Sequence, residues 1–151
     1  MKAKTLTLQA AALALAVSAA AAPAPEFHGA QPKHAHYHVI FHVDSDAPGL
    51  FQKTLHNVRN VLEDPRLKGR VEVELLANSR GYKIYESGNG LEKDLQELAG
   101  RGVILAQCGN TLRELKVDAA TLYPFIRVVP SAMGELVIRQ GDGWAYIHPS
   151  A

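Results

Sequence analysis

A single cysteine, Cys108, stands among 151 residues, which excludes an intramolecular disulfide. Excess charge of either sign is also lacking: 16 Lys and Arg face 15 Asp and Glu, a formal net charge of +1. That balance leaves no electrostatic footprint for nucleic acid or an anionic membrane. Aromatic residues make up only 7%, with one tryptophan, so a small core must be built mainly from aliphatic side chains. No apolar run reaches the ~20 residues that a spanning helix needs. The most apolar stretch, Leu6 to Val17, is interrupted by Thr7 and Gln9.

That stretch instead has the layout of an export signal. Lys2 and Lys4 precede it, and the small residues Ser18 to Ala22 follow. Residues 1–22 are therefore expected to be a cleavable signal peptide, an uncleaved anchor being the alternative. Pro23 disfavours cleavage directly after Ala22, so the cut is expected between Ala19 and Ala21. The absence of an arginine pair argues against a twin-arginine route, and no cysteine follows to carry a lipid. An exported, periplasmic protein with no membrane span after cleavage is the expectation. Losing Lys2 and Lys4 leaves 14 bases against 15 acids, a net charge near −1. Residues 23–36 read as a linker, and residues 37–151 as one domain of about 115 residues, large enough to fold without staples.

Within the domain, extended and helical patterns alternate. Tyr37 to Val43 is rich in β-branched and aromatic residues and reads as the first strand. Leu50, Phe51, Leu55, Val58 and Leu62 follow at helical spacing and stop at Pro65. Val71, Val73 and Leu75 alternate with Glu72 and Glu74, which predicts a second strand near an edge with one wet face. Leu91, Leu95 and Leu98 mark a short helix ending at Gly100. Val103 to Ala106 suits a buried central strand, and Ile126 to Val129 and Trp144 to Ile147 read as the fourth and fifth strands. Ala132, Met133, Leu136 and Val137 form the expected buried stripe of a last helix. Such alternation predicts a three-layer α/β/α sandwich on a mainly parallel five-stranded sheet.

Ligands of open parallel sheets bind beyond the carboxyl ends of the strands. Two segments reach that edge. Asp44-Ser45-Asp46 is expected to cap the following helix through Ser45 or Asp46, with Pro48 in its first turn. Cys108-Gly109-Asn110 leaves the third strand, and Thr111 with Glu114 reads as a capping box. Cys108 is read as a catalytic nucleophile that accepts sulfur as a persulfide, against the alternative of a small buried apolar residue. Gly109 admits close backbone approach, and Asn110, with the amides of Gly109 to Thr111, is expected to bind the terminal sulfur. Tyr82, Tyr85 and Trp144 are candidate aromatics for a self-association surface.

His34, His36, His38 and His42 share one parity, with neighbours two apart spaced roughly 6.6 Å along an extended chain. Neighbours so spaced could share a metal ion, but solvated linker histidines are the simpler explanation, so no metal and no cofactor are expected. Gly88-Asn89-Gly90 lacks the lysine of a phosphate loop.

Several segments together resemble the DsrE/DsrF family of sulfur-relay (YchN-like) proteins. They are Val39 to Val43, His56 to Asn60, Val71 to Leu75 followed by Asn78, and Gly102-Val103 leading to Cys108-Gly109-Asn110-Thr111-Leu112. Val129-Pro130-Ser131 and Gln140 to Ile147 complete the series. The resemblance covers about Tyr37 to Pro149. It implies a DsrE-like domain, a five-stranded α/β/α fold, trimers or hexamers, and a persulfide-carrying cysteine at Cys108. It also places Asn78 with Gly109, Asn110 and Thr111 as ligand-binding residues. The expected partners are a small sulfur species or a sulfur-carrying protein, and not nucleic acid. A non-catalytic oligomeric module that binds a small ligand is the alternative, with a histidine-dependent metal carrier behind it.

Overall fold

The computed structural model describes Ala24 and residues 26–150, so the expected signal peptide lies outside the described residues. The chain divides into two compact units, Met1–Ala30 and Gln31–Ala151. In the first, the described residues have no regular structure, and His28 Nε2 lies 3.6 Å from a Glu26 carboxylate oxygen. Among the described residues, the second carries all the regular elements.

Five strands alternate with helices: β1 (Tyr37–Val43), α1 (Leu50–Glu63), β2 (Val71–Ala77), α2 (Glu92–Gly100), β3 (Ile104–Cys108), α3 (Gly109–Leu115), β4 (Arg127–Val129), α4 (Ala132–Gly141) and β5 (Ala145–Ile147). A stretch of 3-10 helix, Ser79–Tyr85, follows β2. The sheet order is β4-β3-β2-β1-β5 and every pairing is parallel, an α/β sandwich as the alternation predicts. Parallel neighbours need crossovers, and each crossover packs a helix onto one face of the sheet.

The two faces are unequal. Odd-numbered β1 residues (Val39, Phe41, Val43) join Leu55 and Val58 of α1 and Leu95 and Leu98 of α2 in the larger core. Ile40, Leu76, Ala106 and Cys108 join Ala132 and Leu136 of α4, with Trp144, in the smaller one. α4 works alone on its face, so only a narrow stripe is covered. Ala132 and Leu136 are buried, while Met133 (53% exposed) and Val137 (72%) face outward, contrary to the four-residue stripe expected. Val128, Ile138 and Ile147 are exposed as well, whereas Tyr85 and Trp144, candidates for a self-association surface, lie in the interior. Tyr85 donates its hydroxyl to Leu75 O at 2.5 Å.

β2 is the central strand, not one near an edge, and Glu74 is fully buried beneath α4. Alternation suggested a wet face because carboxylates usually seek water. Here Arg139 of α4 brings Nε to 2.8 Å from Glu74 Oε2 and to 2.9 Å from Glu135, while its guanidinium lies 4.0 Å above the Trp144 ring. The charge is covered from above instead of by solvent. Asp44 to Asp46 also behave differently from expectation. The N-cap of α1 is Gly49, with φ 78°, and no side chain caps it. Asp46 instead takes both Arg80 and Lys83 at 2.8 Å, tying the 3-10 stretch to the end of β1. That stretch presses close: a Cβ on Gly81 would lie 2.2 Å from Val43 O.

Burial raises the Glu74 carboxyl from 4.5 to about 7, an effect Arg139 offsets only in part. Between those values the folded chain holds a proton that the unfolded chain has released. The stability this proton confers is fully present below pH 4.5 and is lost as pH rises through about 7. Chemical denaturation should therefore show the unfolding free energy falling by about 1–3 kcal/mol more in the wild type than in Glu74→Gln across that window. Parallel pH profiles for the two proteins would contradict the assignment.

Candidate functional site

β3 ends on Cys108, two residues later than the apolar run suggested, and the cysteine is itself the N-cap of α3. The expected capping box at Thr111 does not form the helix start. Thr111 N donates to Cys108 Sγ at 3.4 Å, and Ala132 N, the first amide of α4, donates at 3.3 Å. First-turn amides have no partner within their own helix, so a sulfur placed here satisfies two that would otherwise be orphaned. Cys108 is only 4% exposed and belongs to the smaller core, rather than opening onto the sheet edge. Burial alone would raise its pKa. The Thr111 hydroxyl and the amides of Thr111, Ala132 and Asn110 outweigh it, and the thiol lies below its ordinary value.

The neighbouring residues explain the shape of this nest. Gly109 lies where a Cβ would come within 3.0 Å of Val129 O and 3.3 Å of Val128 Cγ1, so glycine lets the end of β4 approach β3. Ser131 caps α4 by accepting from Gly134 N at 3.3 Å, which aims the free Ala132 amide at the sulfur. Asn110 contributes its backbone amide, but its side-chain oxygen accepts from Arg113 instead of facing the sulfur.

Asn78 lies one residue beyond the Ala77–Gln107 pair, level with Cys108 across the β2–β3 ladder. Its Oδ1 accepts from His42 Nε2 at 2.9 Å, and His42 Nδ1 accepts from the Tyr146 hydroxyl at 2.9 Å. Beside them His148 Nε2 lies 3.1 Å from Asp44 Oδ1. The rings of His42, Tyr146 and His148 stand 5.5–6.4 Å apart. Burial holds His42 below its usual pKa, against opposing contributions from Asn78 and Asp44.

The place of Cys108 at the end of a central strand was readable from sequence, whereas Tyr146, His148 and the role of Asp44 were missed. His42 and Tyr146 are 104 residues apart and meet only because β5 pairs with β1. The four histidines of one parity do not converge. His34 packs edge-on to Tyr37, His38 lies 5.1 Å from Trp144 and 3.7 Å from Glu72, and only His42 enters the site. Among the described residues no cluster of three or more His, Cys, Asp or Glu could hold a metal ion, and no helix is long and apolar enough to cross a membrane.

No protein-family model matches the chain, and no curated protein matches it. Solved structures do. A protein of unknown function from Methanobacterium thermoautotrophicum, MTH1491, is 37% identical, with a TM-score of 0.70 over 75% of this chain and 99% of that one. A conserved protein of unknown function from Bacteroides thetaiotaomicron, BT1422, shares the fold at 12% identity and a TM-score of 0.59, over 74% and 93% of the two chains.

The close approach at Gly109 has a measurable cost. Gly109→Ala should lower the unfolding free energy in urea by about 1–3 kcal/mol. Gly100→Ala, whose Cβ would meet no atom within 4 Å, should stay within about 0.5 kcal/mol of wild type or gain slightly. Equal stabilities for the two variants would contradict the packing account.

Proposed function

The chain belongs to the same family as the Methanobacterium thermoautotrophicum protein, and we propose that it carries sulfur as a persulfide on Cys108. The observation that carries this reading is the donor set around Sγ: amides from two helix starts converge on one sulfur and lower its pKa. A thiolate is the form that attacks sulfane sulfur. The step balances without an added oxidant. The Cys108 thiolate attacks the outer sulfur of a hydropersulfide or polysulfide, a new S–S bond forms, and the donor's own S–S bond breaks. The donor departs as a thiolate. Transfer onward runs the same exchange in reverse, with an acceptor thiolate attacking the outer sulfur of the Cys108 persulfide.

The resemblance to the DsrE/DsrF proteins supports the same reading, with Asn78, Gly109, Asn110 and Thr111 bordering the bound sulfur. In this proposal the protein is exported to the periplasm and works as a homo-oligomer. The exposed apolar side chains Val128, Met133, Val137 and Ile138 support self-association. A second reading has its own support: the 4% exposure of Cys108 suits a packing residue in a ligand-binding module.

Intact mass decides between them. Polysulfide should add one or more increments of ~32 Da to the folded wild-type chain, removable by dithiothreitol. Cys108→Ser should gain none while keeping its fold. A native Cys108 that resists both polysulfide and alkylation until the protein unfolds would overturn the carrier reading and favour the module.

A further inference from the structure

Hydrogen bonds joined through the Asn78–Ser79 backbone lead from the solvent-facing rim of the sheet to the buried sulfur, and the sulfur chemistry above does not use the outer half of that line. It starts at Tyr146, whose hydroxyl is 2.9 Å from His42 Nδ1, and passes from His42 Nε2 to Asn78 Oδ1 at 2.9 Å. A carboxamide oxygen only accepts, so Nε2 carries the imidazole proton and Nδ1 takes the tyrosine hydrogen. Asn78 is pinned a second time through its backbone, its amide donating to Val43 O at 3.0 Å. The next residue, Ser79, has φ 46°, the left-handed region that a residue with a Cβ adopts only when its surroundings hold it there. In that conformation Ser79 N donates to Thr111 Oγ1 at 2.9 Å. The Ser79 amide thus holds Thr111 by its side chain, and the backbone amide of the same Thr111 donates to Cys108 Sγ at 3.4 Å.

We propose that His42 is a positioning residue for the nucleophile. By gripping Asn78 it holds Ser79 in its left-handed turn, and Ser79 in turn fixes Thr111, whose backbone amide donates to the Cys108 sulfur. His42 matters in this way only if Cys108 works as a thiolate, as proposed above. The groups that face the imidazole are Tyr146 and His148 from the β5 end, Asp44 from the end of β1 and Asn78 from the end of β2. Without the imidazole, Asn78 is free to turn, Ser79 relaxes, and Thr111 loses the contact that holds its amide on the sulfur. The sulfur then keeps the Ala132 amide but loses the Thr111 one.

The test is the rate of alkylation of Cys108 by iodoacetamide in the folded full chain, followed from about pH 5 to about pH 10. Loss of one hydrogen bond to the thiolate should move the midpoint up by about 0.5–1 pH unit, slowing the reaction at neutral pH about three- to tenfold. His42→Phe and Thr111→Val should each show that shift. The double variant should shift no further than Thr111→Val alone, because both changes break one line. His42→Gln, which can still donate to Asn78, should recover most of the wild-type profile. A role in packing alone predicts a different pattern: a lower melting temperature, an unmoved midpoint, and no rescue by glutamine. Additive shifts in the double variant would also overturn the proposal. Should His42→Phe fail to fold, Asn78→Ala breaks the line one bond nearer the sulfur, and an unmoved midpoint there refutes the assignment. Alkylation is independent of sulfur loading. A chain that takes up no polysulfide yet shows these shifts refutes the carrier reading and leaves the role of His42 standing.

Discussion

One sulfur atom has to satisfy donors from two separated segments, and much of the second unit is arranged around that demand. Thr111 N and Ala132 N reach Cys108 Sγ from the first turns of α3 and α4. For both to arrive, the end of β4 must come against the end of β3, which requires the bare Cα of Gly109. It also requires Ser131 to turn the chain into α4 immediately after Pro130. A serine hydroxyl in place of Sγ could accept the same amides. It would neither ionise near neutral pH nor hold sulfane sulfur, and the proposed function rests on that difference.

The same crossing makes the α4 face different from the other. α1 and α2 bury one side of the sheet against a wide aliphatic core, whereas α4 covers the other side alone. A lone helix leaves its flanks open, and Met133, Val137 and Ile138 face outward in consequence. Beneath it Glu74 has no access to water, and its Oε1 has no hydrogen-bond partner among the described residues. Arg139 supplies the countercharge and lies flat over Trp144, so α4 is held by a guanidinium bridge as well as by apolar contact. One helix thus carries an amide to the sulfur at its start and the partner of a buried carboxylate near its end.

The strand and helix alternation was legible because aliphatic runs bounded by glycine and proline force it. β1 and α1 fall where Tyr37 to Val43 and Leu50 to Leu62 place them. What escaped notice shares a cause: polar residues whose partners lie far away in sequence. Glu74 looked solvent-facing because Arg139 is 65 positions downstream, and only the fold brings α4 over β2. His42 shared its parity with three other histidines, and that local pattern hid its real partners, Asn78 and Tyr146. The Cys108 region failed more narrowly. Thr111 and Glu114 fit a capping box, yet a cysteine three residues earlier took the cap because a second helix also donates to its sulfur.

The sulfur chemistry proposed for this protein and the role of His42 both pass through the ionisation of Cys108, and the thiolate absorbs in the ultraviolet where the thiol does not. Titrating the folded full chain, with Cys108→Ser subtracted to remove tyrosine, gives that ionisation directly. The account predicts a midpoint below ~8.5, the value of an unperturbed cysteine. A midpoint at or above that value in the folded chain, or no thiolate until the protein unfolds, would contradict it.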